Sequence, residues 1–255
     1  MKFVSAMLCV AIVLCTCGVR GFAQEPCPIK SVEPTTSSVK LVALTYDDGP
    51  NDITWEILDI LQNFDVAATF FVLGDRLERF PETIARIVGE GHQIGNHSYS
   101  HKQLDILSSK QLYAELDKAN SAIFEATGIL PTVLRPPFGA LNKKVLEAAA
   151  SRGMAVIHWS IDTADWVEGT SPARIAERVL KTVKEGDIIL MHDLFPQTAK
   201  ATKIILETLI NRGFNFVTVD ELIAYYSNAA EPGAVYESAI KKYDVTHGII
   251  GDIFE

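Results

Sequence analysis

Two aspartates stand side by side at Asp47-Asp48, and two histidines stand four apart at His97 and His101. Adjacent carboxylates repel unless a cation or a base lies between them. Histidines at that spacing fall on one face of a helical turn and can share a metal ion. Taken alone, each pattern is also ordinary: Asp48-Gly49-Pro50 is a common turn, and H-x-x-x-H describes many pairs of surface histidines. Taken together, Asp48, His97 and His101 would make a two-histidine, one-carboxylate set. Such a set leaves coordination positions open for water and substrate.

Further along the chain come three more polar clusters. In Arg135-Pro136-Pro137-Phe138, two prolines fix the backbone. It reads either as a rigid loop with a surface arginine, or as a guanidinium held near a carboxylate with an amide N–H aimed into a site. Asp162-Thr163-Ala164-Asp165-Trp166 is an acidic loop with one tryptophan. Ile188-Ile189-Leu190-Met191-His192-Asp193 is an apolar run that ends in a histidine.

What must position these clusters is a series of alternating elements. Short apolar runs predict buried strands at 41–46, 67–73, 93–96, 132–135, 155–160, 187–191 and 214–219. Between them, helical stripes predict helices over 55–64 with Thr54 as N-cap, 81–90 before Gly91, and 109–127 before Gly128. Ser108 and Gln111 have the capping-box spacing at the start of that third helix. Helices follow over 142–152, over 172–184 from Ser171-Pro172, and over 198–212. About seven β/α repeats imply a parallel sheet covered on both faces, and a distorted barrel and an open doubly wound sheet both fit. All five clusters fall at or just beyond the C-terminal ends of the strands, the edge where α/β folds build sites.

Composition narrows the function classes. The chain has 255 residues, 48% of them hydrophobic and 22% charged, which excludes a disordered or collagen-like chain. Net charge is −9 with no Lys/Arg-rich run, so nucleic acid and anionic membranes are poor partners.

The first 23 residues read as a separate object. Met1-Lys2 precedes an apolar stretch over 3–17, and Gly21-Phe22-Ala23 ends it with small residues at the two positions a signal peptidase reads. The stretch is shorter than the ~20 residues of a membrane span, so no span is expected once the signal is removed. The expectation is an exported protein, periplasmic or extracellular. Leu14-Cys15-Thr16-Cys17 loosely matches a lipid-attachment signal, and Thr16 is a poor residue just before the cysteine, so a lipid anchor is the lesser alternative. Cleavage removes Cys9, Cys15 and Cys17 and leaves Cys27, so the mature chain has no internal disulfide. Residues 24–39, with three prolines, predict a linker; 40–227 form the domain; Glu231-Pro232-Gly233 interrupts the pattern within a tail over 228–255.

The five clusters, in this order, resemble the NodB-homology polysaccharide deacetylases, carbohydrate esterase family 4. The resemblance runs from about Val39 to Leu222, and Tyr46 and Phe138 depart from the commonest residues without removing a catalytic side chain. It implies a distorted (β/α) barrel of about seven parallel strands. It implies a divalent metal, usually zinc, with cobalt or nickel as alternatives, on Asp48, His97 and His101. By the same similarity Asp47 is the general base, held by Arg135, and the Phe138 backbone N–H binds the oxyanion. His192 is the general acid, paired with Asp162, while Trp166 and Leu190 wall the acetyl pocket. Asp165 is expected to be structural, as are His92 and His158. The implied substrate is an acetylated polysaccharide: N-acetylglucosamine glycans such as peptidoglycan or chitin oligomers. An O-acetylated xylan is the alternative within enzymes. A non-catalytic glycan-binding protein is the alternative of another class.

Overall fold

A computed structural model describes residues 39–240 and the backbone of the strand at 242–243. The expected signal peptide, the linker up to residue 38, Cys27 and the end of the tail lie outside the described residues.

The elements alternate along the chain. Strand β1 (Lys40–Asp47) leads into helix α1 (Asp52–Phe64), then β2 (Thr69–Val72), α2 (Pro81–Gly89), β3 (Gln93–Asn96) and α3 (Ser109–Thr127). Next come β4 (Val133–Leu134), α4 (Lys143–Ala150), β5 (Ala155–Ile157), β6 (Ile161–Asp162), α5 (Pro172–Thr182) and β7 (Ile188–His192). The last are α6 (Pro196–Asn211), β8 (Phe214–Phe216), α7 (Val219–Ser227), β9 (Val235–Tyr236) and β10 (Lys242–Tyr243). Among the described residues none of these helices is long and apolar enough to cross a membrane.

The sheet runs β10-β9-β5-β4-β3-β2-β1-β7-β6, with β8 also on β1, and all pairs but β9–β10 are parallel. Its path among the described residues does not return to its start, so this is a distorted, incomplete (β/α) barrel. The seven expected strands are present, and β6, β9 and β10 are additional.

Strand β1 organises the interior, because alternate side chains point to opposite faces. Val42, Leu44 and Tyr46 join the core under α1, α2, α5 and α6, with Ile57, Leu61, Ile84, Val179 and Ile205. Leu41 and Ala43 face the other way, into a cluster with Phe71, Ile157, Ile188 and Leu222. Thr45 and Asp47 continue that second face and are buried. The barrel interior is therefore apolar at one end and polar at the C-terminal end of β1. Burying a side chain such as Ile57 or Leu61 contributes about 1.5–3 kcal/mol.

Two local expectations are corrected. The N-cap of α1 is Asn51, whose side chain accepts from Ile53 N at 2.7 Å; Thr54 closes the capping box by accepting from Asn51 N at 2.9 Å. The strand expected over 214–219 stops at Phe216, and α7 starts at Val219. Thr218 caps α7 through a box with Glu221.

Candidate active site

Strand register brings the five clusters together. Asp47 and His192 are Cα partners across β1 and β7. Asn96 pairs with Leu134, so the next residues, His97 and Arg135, leave the sheet side by side.

The histidine pair does not sit on a helical turn. Residues 97–101 form a loop in which Ser98 (φ 68°) and His101 (φ 58°) are both left-handed. This bend brings one ligand atom each of Asp48, His97 and His101 within 4.8 Å of one another. Asp48 Oδ1 lies 3.0 Å from His101 Nε2 and 3.3 Å from His97 Nε2. The proton of neutral His97 can be located by elimination. His97 Nδ1 is 2.7 Å from the carbonyl oxygen of Arg135, which can only accept, so Nδ1 carries the proton. Nε2 is then a lone pair facing a carboxylate oxygen that is itself buried without a hydrogen-bond donor. Such contacts need a cation, whether a proton on an imidazole Nε2 or a metal ion between the atoms, and the donor set of two imidazole nitrogens and one carboxylate oxygen fits a divalent metal. Burial would raise the Asp48 carboxyl, but N–H donation and positive charge from His101 and His97, the part a bound cation would take over, hold it well below the usual carboxylate range.

Beside this set, Asp47 Oδ1 accepts from Arg135 Nη1 at 2.8 Å. The guanidinium is fully buried and donates also to Thr45 Oγ1 (2.7 Å), Ile157 O (3.1 Å) and His158 O (2.9 Å). Its flat face lies 4.2 Å from the Phe71 ring centroid. Asp47 is thus a buried carboxylate with one oxygen fixed by a cation. Its other oxygen is 3.9 Å from His97 Nε2.

The carboxylate on His192 is Asp165, not Asp162. His192 Nδ1 is 2.8 Å from Asp165 Oδ1, while Asp165 Oδ2 accepts from His192 N at 2.7 Å and from Thr198 Oγ1 at 2.6 Å. Asp165 is fully buried; Asp162 is exposed and spends its Oδ1 on Ala164 N at 2.7 Å. The left-handed turn at Ala164 (φ 46°) separates their directions. Burial opposes the charged imidazole, but the Asp165 hydrogen bond and charge, helped by Asp47 and Asp48, raise His192 from 6.5 to about 9.

The remaining expected residues surround these pairs. Phe138 is left-handed (φ 63°), 69% exposed, and lays its ring edge against His101 at 4.7 Å. Trp166 is 56% exposed and Leu190 is buried. His92 and His158 are buried, and burial pushes each down to about 4, so both are neutral at pH 7. Sequence reasoning missed Thr45, Thr198 and Asp193. Asp193 is buried beneath Gly49, accepts from Thr54 Oγ1 at 2.6 Å, and is raised by its burial to about 7. Only Asp193 carried a sequence signal, as the acid next to His192.

Comparison with known proteins gives one consistent set of likenesses. Residues 35–157 match the family model described as polysaccharide deacetylase. A peptidoglycan-N-acetylglucosamine deacetylase of Listeria monocytogenes is 41% identical over 77% of this chain, which spans 42% of that relative's length. A chitooligosaccharide deacetylase of Bradyrhizobium is 35% identical over 73% of this chain and 92% of its own length. Among solved structures, a family 4 acetyl xylan esterase from Clostridium thermocellum, in complex with a cobalt ion, superposes with a TM-score of 0.75 at 33% identity. That match covers 79% of this chain and all of the esterase chain.

Proposed function

The chain belongs to the polysaccharide deacetylase family, and from that premise we propose that it is an exported, metal-dependent enzyme removing N-acetyl groups from N-acetylglucosamine-containing glycans. The relatives named for peptidoglycan and chitooligosaccharide deacetylation support the substrate class. The observation that carries the reading is the arrangement itself. A cation-ready set of Asp48, His97 and His101 lies beside a buried carboxylate with an arginine partner and a histidine with a buried carboxylate partner.

Asp48, His97 and His101 would hold the metal, with zinc the first candidate for a site of two imidazoles and one carboxylate. When bound, it supplies Lewis acidity, lowering the pKa of a water from ~15.7 towards ~7 and polarising the acetyl carbonyl. Asp47 would take a proton from the attacking water as its oxygen adds to the acetyl carbon. Arg135 holds one Asp47 oxygen, which aims the other. The Phe138 backbone N–H donates to the oxyanion. Cationic His192 then delivers its proton to the departing nitrogen as the C–N bond breaks, leaving a free amine and acetate. The Asp165 carboxylate orients that imidazole and holds the proton on it until the amine needs it. Trp166 and Leu190 wall the acetyl methyl group.

The likeness to an acetyl xylan esterase favours a second reading, in which the same site removes O-acetyl groups. An alcohol leaves without prior protonation more readily than an amine, so replacing His192 separates the two. The deciding experiment measures acetate released after chelation and metal add-back. Its panel is N-acetylglucosamine oligomers, peptidoglycan and acetylxylan. Metal-restored release from the first two supports the proposal; release from acetylxylan alone supports the second reading; no release from metal-loaded protein overturns both.

A further inference from the structure

The backbone that carries His101 is costly to hold. Ser98 and His101 both adopt left-handed φ, which for residues with a Cβ stores strain that surrounding contacts must offset. Part of the hold is local: Ser98 N donates to Asn96 Oδ1 at 2.7 Å, and His101 N donates to Ser98 Oγ at 3.0 Å. The rest comes from α3, which runs behind the loop. Asn96 donates through its amide to Leu116 O (3.2 Å) and to Asn120 Oδ1 (2.7 Å). Next to Leu116 in α3, Glu115 reaches the loop directly. Its Oε2 accepts from Ser100 N at 3.0 Å, the Ser100 hydroxyl lies 3.0 Å from each carboxylate oxygen, and Lys102 Nζ donates to Oε1 at 2.6 Å.

Ser100 and Lys102 are the residues immediately before and after His101. A single carboxylate therefore grips both flanks of one imidazole. Glu115 is a buried acid, its side chain only 7% exposed, on a helix whose other polar positions are largely solvated. Burial raises its pKa, and Lys102 and Ser100 together bring it below the ordinary glutamate value. A buried charge is retained where the fold gives it donors. Here those donors are the loop itself.

We propose that Glu115 is a positioning residue for His101: it fixes the chain on either side of the imidazole so that Nε2 meets the Asp48 and His97 ligand atoms, and metal affinity depends on it. The proposal rests on the reading that Asp48, His97 and His101 hold a cation. Partners outside the ligand shell typically affect metal affinity by about 10–100-fold, through ligand orientation rather than contact with the ion.

The test uses the purified protein stripped by chelation, titrated with zinc against a chromophoric chelator and with cobalt by visible absorption. Glu115→Ala removes every contact to the loop. Glu115→Gln keeps the size, loses the ion pair and one acceptor oxygen, and carries the test if the alanine variant does not fold. His101→Ala is the control. Glu115→Ala is expected to raise the zinc Kd about 10–100-fold, with Glu115→Gln in between, and both should alter the cobalt spectrum. A wild-type Kd and spectrum in both variants, even with a lower Tm, would overturn the proposal and leave Glu115 as a fold-stabilising acid only. One-to-one binding lost in His101→Ala secures the reading beneath it. A His101→Ala variant that binds like the wild type, or a wild type that binds no metal, overturns that reading instead.

Discussion

His192 Nδ1 lies 2.8 Å from Asp165 Oδ1, and the other oxygen of that carboxylate takes the His192 backbone N–H and the Thr198 hydroxyl. Asp165 thus fixes both the ring and the backbone of the same histidine. Asp162, three residues earlier, caps a turn at the surface. The two acids therefore respond differently to the same isosteric change. Asp165→Asn removes the charge that keeps His192 cationic and should lower N-deacetylase kcat/KM by about 10²–10⁴-fold, the usual worth of a general acid. Asp162→Asn keeps an oxygen acceptor for Ala164 N and should leave kcat/KM within about twofold, since Asn and Asp cap turns about equally well. Steady-state acetate release from the two variants checks this, and comparable losses would return the pairing to Asp162.

The raised His192 pKa fixes the sign of two pH effects. In the proposed mechanism His192 acts as a protonated acid, so turnover should fall as pH rises towards and through about 9. Part of the upward shift comes from Asp48. A bound cation offsets that part, so the alkaline limb of the loaded enzyme lies at or below that value. In stability, the folded value is above the unfolded 6.5. The contribution is therefore full below pH 6.5 and is lost as pH rises through about 9. Urea unfolding of metal-free protein at pH 6 and pH 9.5 should show this decline. Asp165→Asn should flatten it; a wild-type slope in that variant would place the cause elsewhere.

The strand ends were legible because buried apolar runs stop at polar clusters, and that geometry places Asp47, His97, Arg135 and His192 on one edge. The Asp162–Asp165 choice was not legible. Both acids lie in one five-residue cluster, and only the left-handed turn at Ala164 decides which carboxylate goes inward. Helix α7 was hidden differently. Phe214 to Val219 reads as a mostly apolar run like a buried strand, while the Thr218–Glu221 capping box that starts α7 overlaps its end. Strands β6, β9 and β10 have two residues each and, unlike β4, do not lie in a run the sequence marks as a strand. Glu115 was invisible for a further reason. On a helix with polar neighbours it reads as part of a solvated face, and its partners are fourteen residues or so away in a loop whose bend the sequence does not encode locally.

Arg135 and Asp47 form a buried pair, and breaking such a pair from one side strands a charge. Arg135→Met should cost about 3–5 kcal/mol, because Asp47 then lacks its cation while Thr45 Oγ1 and two carbonyls lose a donor. Asp47→Asn should cost less, since its side-chain oxygen still accepts from Arg135, yet it should lower acetate release by about 10²–10⁴-fold through loss of the base. Adding Asp47→Asn to Arg135→Met should recover part of the stability and none of the activity. Urea midpoints and turnover on the same four proteins separate the roles, and an additive double variant would show that the charges do not act as a pair.

Gly49 makes the last case, where a missing side chain is the feature. A Cβ there would overlap the Asp193 carboxylate. That carboxylate cannot simply withdraw. Its Oδ2 takes the Thr54 hydroxyl at 2.6 Å, and the Asp193 carbonyl takes the Asn51 amide at 2.7 Å. The strain would pass to the neighbouring residue Asp48, already left-handed at φ 75° and one of the three residues proposed to hold the metal. Gly49→Ala should therefore destabilise the fold by about 1–3 kcal/mol, as overpacking of a filled interior does. It should also weaken metal retention. Asp193→Ala removes the obstructing carboxylate, so the two substitutions should be coupled, with Gly49→Ala costing less in the Asp193→Ala background. A four-protein urea cycle with parallel zinc titrations measures that coupling. The same cost for Gly49→Ala in both backgrounds would mean that the clash is relieved by backbone movement rather than borne by Asp193.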